Sequence, residues 1–146
     1  MREEIPAGLE PLEVIRRLKD QGAFISVAHP FDPNRDVTHW QPGTLEAMLP
    51  FLDAIETFNA RCLRQAYNDQ AQAFAREHRL SEMAGSDAHS TFELGRATML
   101  LADFNNAMEL RKALQDAQWD VRLSSAAVHL FSVWAKLIKR VRKPAL

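Results

Sequence analysis

The chain has 146 residues, 47% of them hydrophobic and 25% charged, with a formal net charge of −1. Such a length and balance predict one globular domain, residues 1–146, that can bury a core, and the near-zero charge selects neither for nor against a polyanionic partner. No run approaches the roughly 18 apolar residues of a membrane-spanning helix, and a single cysteine, Cys62, excludes an internal disulfide and reads as a buried, inert thiol.

The opening MREEIPAG lacks a basic-then-apolar signal pattern, so a cytoplasmic location is expected. EPLEVIRRLKDQG (10–22) predicts a helix, with Pro11 in its first turn, Leu12, Ile15 and Leu18/Lys19 facing inward, and Gly22 as terminator. AFISVAHP (23–30) predicts a short buried strand that Pro30 stops, followed by the loop FDPNRDVTHWQPG. TLEAMLPF reads as a short helix and LDAIETF (52–58) as a second strand. A helix over 63–78 places Leu63, Ala66/Tyr67, Ala71 and Phe74/Ala75 on one side. LSEMAGS (80–86) and ATMLLAD (97–103) give a third and a fourth strand. Asn105 is expected to cap the helix NNAMELRKALQDA, WDVRLS adds a fifth strand, and Ser124 or Ser125 opens a final helix, AAVHLFSVWAKLIKRVRK.

Strands alternating with helices predict parallel βαβ units and an α/β fold. In such folds ligands gather outside the carboxyl ends of the strands. His29 follows the first strand, Glu56 and Asn59 end the second, and Asp87 and His89 follow the third. Taken alone, Asp87-x-His89 has an ordinary reading as a turn cap and a surface histidine. In the company of His29 and Glu56 it becomes a ligand set suited to zinc, iron or manganese. A metal there would polarise a phosphoryl oxygen or generate hydroxide from bound water.

VAHPFDPNR (27–35), DAIETFNAR (53–61) and GSDAHSTFELG (85–95), in this order, resemble the PHP (polymerase and histidinol phosphatase) family, above all its stand-alone metal-dependent phosphoesterases. The pattern Asn68-x-x-Ala71-x-x-x-Ala75 and the closing SSAAVHLFSVWAKL extend the likeness. The resemblance implies a distorted (β/α) barrel with divalent metals (manganese, zinc or iron) at the strand rim, and hydrolysis of phosphate esters. It implies His29, Asp87 and His89 as metal ligands, and Glu56 and Asn59 as rim residues that orient a ligand or bond the substrate. Arg35 is a phosphate clamp or, equally, a solvated loop charge.

The family's amino-terminal His-x-His, its Thr-Asp-His-type motif and its bridging glutamate are absent. The chain therefore corresponds to the carboxyl-terminal half of the family domain, with four or five βα units and a C-terminal helix. Such a half cannot close a barrel, which takes about 250 residues. Its open side is expected to be covered by the missing half or by another copy, or the units settle into an open sheet. Two functions stay open: a phosphoesterase acting on nucleotides, oligonucleotides or small phosphorylated metabolites, and an inactive remnant serving as a binding or assembly module. His39 reads as a loop residue, His78 as a cation at a helix end and His129 as interfacial. The cations Lys136, Lys139, Arg140, Arg142 and Lys143 read as the solvated face of a packed helix, with nucleic-acid or membrane contact as the alternative.

Overall fold

The computed structural model describes residues 3–33 and 43–125. Helix α1 (Pro11–Asp20) starts at a proline, whose fixed φ suits the first turn and whose missing N–H costs nothing there. It ends on Gly22 at φ 78°, with Gly22 N–H donating to Lys19 O and Ala23 N–H to Leu18 O. That paired closure is a Schellman motif, and the left-handed backbone it needs is free only to glycine.

Strand β1 (Ser26–Val27) is shorter than the predicted strand, pairing only with Ala54 and Ile55 of β2 (Ala54–Asn59). Between them lie α2 (Thr44–Met48) and a 3₁₀ turn (Leu49–Phe51). Helix α3 (Gln65–His78) leads to β3 (Ser81–Gly85), and β1, β2 and β3 form one parallel sheet in that order. Ile15, Ile25, Val27, Leu45, Met48, Leu52, Ile55 and Ala75 form the core, joined by Phe31 and Phe74, whose rings meet edge to face at 5.4 Å. Leu63 lies ahead of α3 and is exposed, contrary to its expected inward position. His78 ends α3 as expected, its ring 4.3 Å from that of Phe74.

Asp53 ties three elements together at the amino end of β2. Its carboxylate accepts from Ile25 N–H (2.7 Å), Lys19 Nζ of α1 (2.6 Å) and Arg111 Nε (2.8 Å). Burial alone would raise this carboxyl, but the bonds from Lys19, Ile25 and Arg111 and the Lys19 charge outweigh it and hold it below the usual carboxylate range.

Strands β4 (Ala97–Leu100) and β5 (Gln118–Val121) both form, but not as further parallel units. They pair antiparallel, Leu100 opposite Gln118 and Ala97 opposite Val121. Ala97 bonds Ser86 Oγ at the end of β3, and Met99 Sδ accepts from Ala84 N–H, so β4 runs back alongside β3. Only Ser86–Arg96 separates β3 from β4, and a parallel return takes a crossover of about a dozen residues or more. Helix α4 (Ala107–Ala113) and a 3₁₀ turn (Leu114–Asp116) then reverse the chain, and β5 carries it up until Ser124 N–H reaches Ala60 O. Asn106, not Asn105, caps α4, its Oδ1 accepting from Met108 N–H and Glu109 N–H. Asn105 instead bonds the Glu109 carboxylate. The fold is mixed α/β with a parallel sheet, and no closed barrel is present among the described residues. Arg35, His39, His129, the final helix and the basic tail lie outside them.

Candidate functional site

The carboxyl ends of β1, β2 and β3 converge on five predicted residues. Two residues after β1, His29 takes φ 33°, a left-handed backbone that a residue with a side chain adopts at some cost. Its backbone N–H donates to Glu56 Oε2 at 2.7 Å, and its Nδ1 is buried without a hydrogen-bond partner. A buried imidazole nitrogen left this way loses its hydration and gains nothing in return.

Glu56 and Asn59 stand three apart on β2, a spacing that puts side chains on opposite faces of a regular strand. The β2–β3 register jumps, however: Glu56 pairs with Met83, Phe58 with Ala84, and Thr57 is the extra residue between them. The bulge turns Asn59 to the same side as Glu56, where Asn59 Nδ2 donates to Glu56 Oε2 at 3.0 Å and to Asp87 Oδ2 at 3.4 Å. Asn59 is 1% exposed and held by Asn68 of α3, which accepts from its N–H (3.0 Å) and donates to its carbonyl (3.3 Å). Glu56 packs flat against the β3 backbone, because a Cβ on Gly85 would lie 2.0 Å from Glu56 Oε1. Burial raises the Glu56 carboxyl above the ordinary range, with the Asp87 charge adding and the Asn59 and His29 bonds opposing.

Asp87, at φ 48°, turns the chain past β3. Asp tolerates this region better than most residues, and Gly85, Ser86 and Ala88 around it are small. His89 then folds its ring back, Nδ1 lying 2.7 Å from the Asp87 carbonyl and 3.6 Å from Asp87 Oδ1. A carbonyl oxygen only accepts, so this bond assigns the proton to Nδ1 and leaves the Nε2 lone pair free for a ligand.

These donors suit a divalent ion in type: imidazole nitrogens, carboxylate oxygens, and an orphaned ring nitrogen among them. In number they fall short. Among the described residues no group of three or more His, Cys, Asp or Glu side chains is placed to hold an ion. Among the described residues they suit such a site in kind without completing one.

Residues 65–118 match the model of the PHP-associated family. Over 107 residues the chain is 36% identical to an uncharacterised protein of Methanocaldococcus jannaschii, covering 72% of this chain and 45% of that protein. Its backbone also resembles a candidate metal-dependent phosphoesterase of Bifidobacterium adolescentis, with a TM-score of 0.50 and 25% identity, over 70% of this chain and 35% of that one. The chain contains a PHP-family C-terminal region. It spans less than half the length of these two relatives.

Three further residues build this rim and were not predicted as part of it. Asn68 fixes Asn59, as above. Arg61 and Glu93, whose side chains are 5% and 1% exposed, pair at 3.1 Å behind the Asp87–His89 turn. Glu93 Oε2 accepts from His89 N–H (3.0 Å) and Ser90 Oγ (2.8 Å). Burial would raise Glu93, but the Ser90 and His89 bonds and the Arg61 charge outweigh it and hold the carboxyl below its usual range. The signal was present in Ser90-x-x-Glu93, a capping-box spacing that opens the 3₁₀ turn Thr91–Glu93.

Proposed function

We propose that this PHP-family region supplies one wall of a metal-dependent phosphoesterase site that hydrolyses phosphate esters. The observation that carries the reading is the gathering of His29, Glu56, Asn59, Asp87 and His89 at three adjacent strand ends, with one buried imidazole nitrogen unpartnered. His29, Asp87 and His89 are the metal ligands in this reading. Glu56 and Asn59 orient them or bond the substrate, and Arg35 clamps phosphate. Manganese, zinc or iron fits this donor set and would supply an activated water and a polarised phosphoryl group. The parallel strands are read as half of a (β/α) barrel, the other half coming from a longer polypeptide or a second chain. The Bifidobacterium protein's designation as a candidate metal-dependent phosphoesterase supports the reading.

Elemental analysis after dialysis against manganese or zinc tests it, comparing wild type with Asp87→Ala/His89→Ala. The expected result is near-stoichiometric metal in the wild type, lost in the double variant, with hydrolysis of a generic phosphate ester lost in parallel. Wild-type protein that binds neither metal sinks the reading.

A second reading is an inactive module that assembles with another chain. The incomplete donor set favours it, as do Phe92 and Leu94, 83% and 68% exposed beside the His89 turn. Metal-free protein that self-associates supports it.

A further inference from the structure

The rim contains a closed circuit of contacts that runs through two residues with no part in binding. Asn59 Nδ2 donates to Asp87 Oδ2 at 3.4 Å, and Asp87 O meets His89 Nδ1 at 2.7 Å. His89 N–H donates to Glu93 Oε2 at 3.0 Å, Glu93 Oε1 faces Arg61 Nε at 3.1 Å, and Arg61 N–H returns to Asn59 Oδ1 at 2.9 Å. The circuit joins the end of β2 to the end of β3, and its far side is a buried ion pair. Burying two charges is expensive, and a hydrophobic pair of similar size is often at least as stabilising, so stability alone is a weak account of Arg61 and Glu93. A geometric role accounts for them better. Two donors from the turn that aims the His89 ring, His89 N–H and Ser90 Oγ, close on Glu93 Oε2, while the Arg61 guanidinium pairs with Oε1 of the same carboxylate.

We infer that Arg61 and Glu93 are positioning residues: their ion pair anchors the backbone of the His89 turn so that Nδ1–H stays on the Asp87 carbonyl and Nε2 stays presented at the rim. This rests on the phosphoesterase reading for its purpose, though the anchoring can be measured without metal. Glu93 acts through the backbone of His89 and touches none of the proposed ligand side chains. Arg61 acts through Glu93. The arrangement is an outer support of the kind that fixes a ligand histidine's tautomer and orientation.

Nitrogen-15 imidazole spectra of the metal-free full chain test the inference, at a pH well above the ordinary histidine value of about 6.5. Wild-type His89 is expected as the Nδ1–H tautomer. In Glu93→Ala, with unchanged far-ultraviolet circular dichroism, that tautomer is expected to give way to a mixture. Glu93→Gln keeps an acceptor oxygen for His89 N–H but gives up the charge that pairs with Arg61, and is expected to hold the Nδ1–H tautomer in a larger share than Glu93→Ala does, which a general packing defect would not. If Glu93→Ala does not fold, Arg61→Lys serves instead: a lysine ammonium lies at the end of a different stem and cannot take the place of Arg61 Nε beside Glu93 Oε1, and the His89 signal must move. A folded Glu93→Ala or Arg61→Lys with the wild-type signature overturns the inference, as does an Nε2–H tautomer in the wild type.

Zinc titration of the same samples separates this from the underlying reading. An Nδ1–H wild type that is disturbed by Glu93→Ala and binds no zinc removes the phosphoesterase reading and leaves the anchor standing. Where the wild type binds zinc, Glu93→Ala is expected to weaken it by about 10–100-fold, and undiminished affinity counts against the anchor.

Discussion

Gly85→Ala places a methyl group where the Glu56 carboxylate now lies. The added Cβ would sit 2.0 Å from Glu56 Oε1, against a practical limit of 3.0 Å, so the carboxylate must retreat by at least the difference. Glu56 Oε2 accepts from His29 N–H at 2.7 Å and Asn59 Nδ2 at 3.0 Å, and a shift of about an ångström carries both beyond good hydrogen-bonding distance. Hydrogen bonds to a charged group contribute about 1.5–3 kcal/mol each. Replacing a strand glycine by alanine returns about 0.5–1 kcal/mol. The expected net loss is therefore about 2–5 kcal/mol at neutral pH, read as a lower urea midpoint with an unchanged slope. A double-mutant cycle isolates the cause. In a Glu56→Ala background the methyl group meets open space, and Gly85→Ala should be neutral or slightly stabilising. An equal cost in both backgrounds would refute the reasoning, since the obstacle would then be something other than the Glu56 carboxylate.

Asp53→Asn removes the charge that Lys19 and Arg111 share, and with both partners partly exposed the expected cost near neutral pH is about 1–3 kcal/mol. Because the folded-state pKa of Asp53 is lowered, this stability is present above the unfolded value of about 3.9 and is lost as pH falls through the folded value. Stability measured against pH should accordingly show the wild-type and Asp53→Asn curves converging on the acid side, and a constant gap down to low pH would contradict the assignment. Asn68→Leu leaves the N–H of buried Asn59 unpaired and takes one of two donors from its carbonyl, which keeps Cys62 N–H, for an expected loss of about 1–3 kcal/mol in chemical denaturation. Asn106→Ala should cost about 1 kcal/mol as the true cap of α4, and Asn105→Ala distinctly less, which thermal melts of the two variants can compare.

The alternation of elements was legible because each helix carries its inward face at helical spacing and each of the first three strands is a short run between breakers. The rim residues were legible for a topological reason: the polar residue following a buried parallel strand has nowhere to point but the rim. What escaped the sequence depended on contacts between distant residues. Nothing in DAIETFN announces that Thr57 is an extra residue, because a bulge is a relation between two strands. The reversal at β4 was inferable, since Ser86–Arg96 is short for a crossover, but alternation alone was read as parallel order. Asn105 and Asn106 are both good caps by type, and the choice between them is made by where the Glu109 carboxylate falls. Arg61 and Glu93 were not predicted because their burial depends on each other, across residues far apart in the chain.

The bulge in β2 also gives the strand two phases. Before Thr57 the alternation of side chains answers to the core, through Ile55 and its neighbours, and beyond it the alternation answers to the rim, through Asn59. The two halves of one strand can thus drift independently under mutation, provided their one-residue offset is kept. Loss of the extra residue Thr57 would leave Glu56 and Asn59 two apart on a regular strand, still on one face, with the core and the parallel pairing largely in place. A relative can therefore be one residue shorter in β2 and keep the rim, whereas one that keeps the length but pairs without the bulge turns Asn59 away from Glu56 and Asp87.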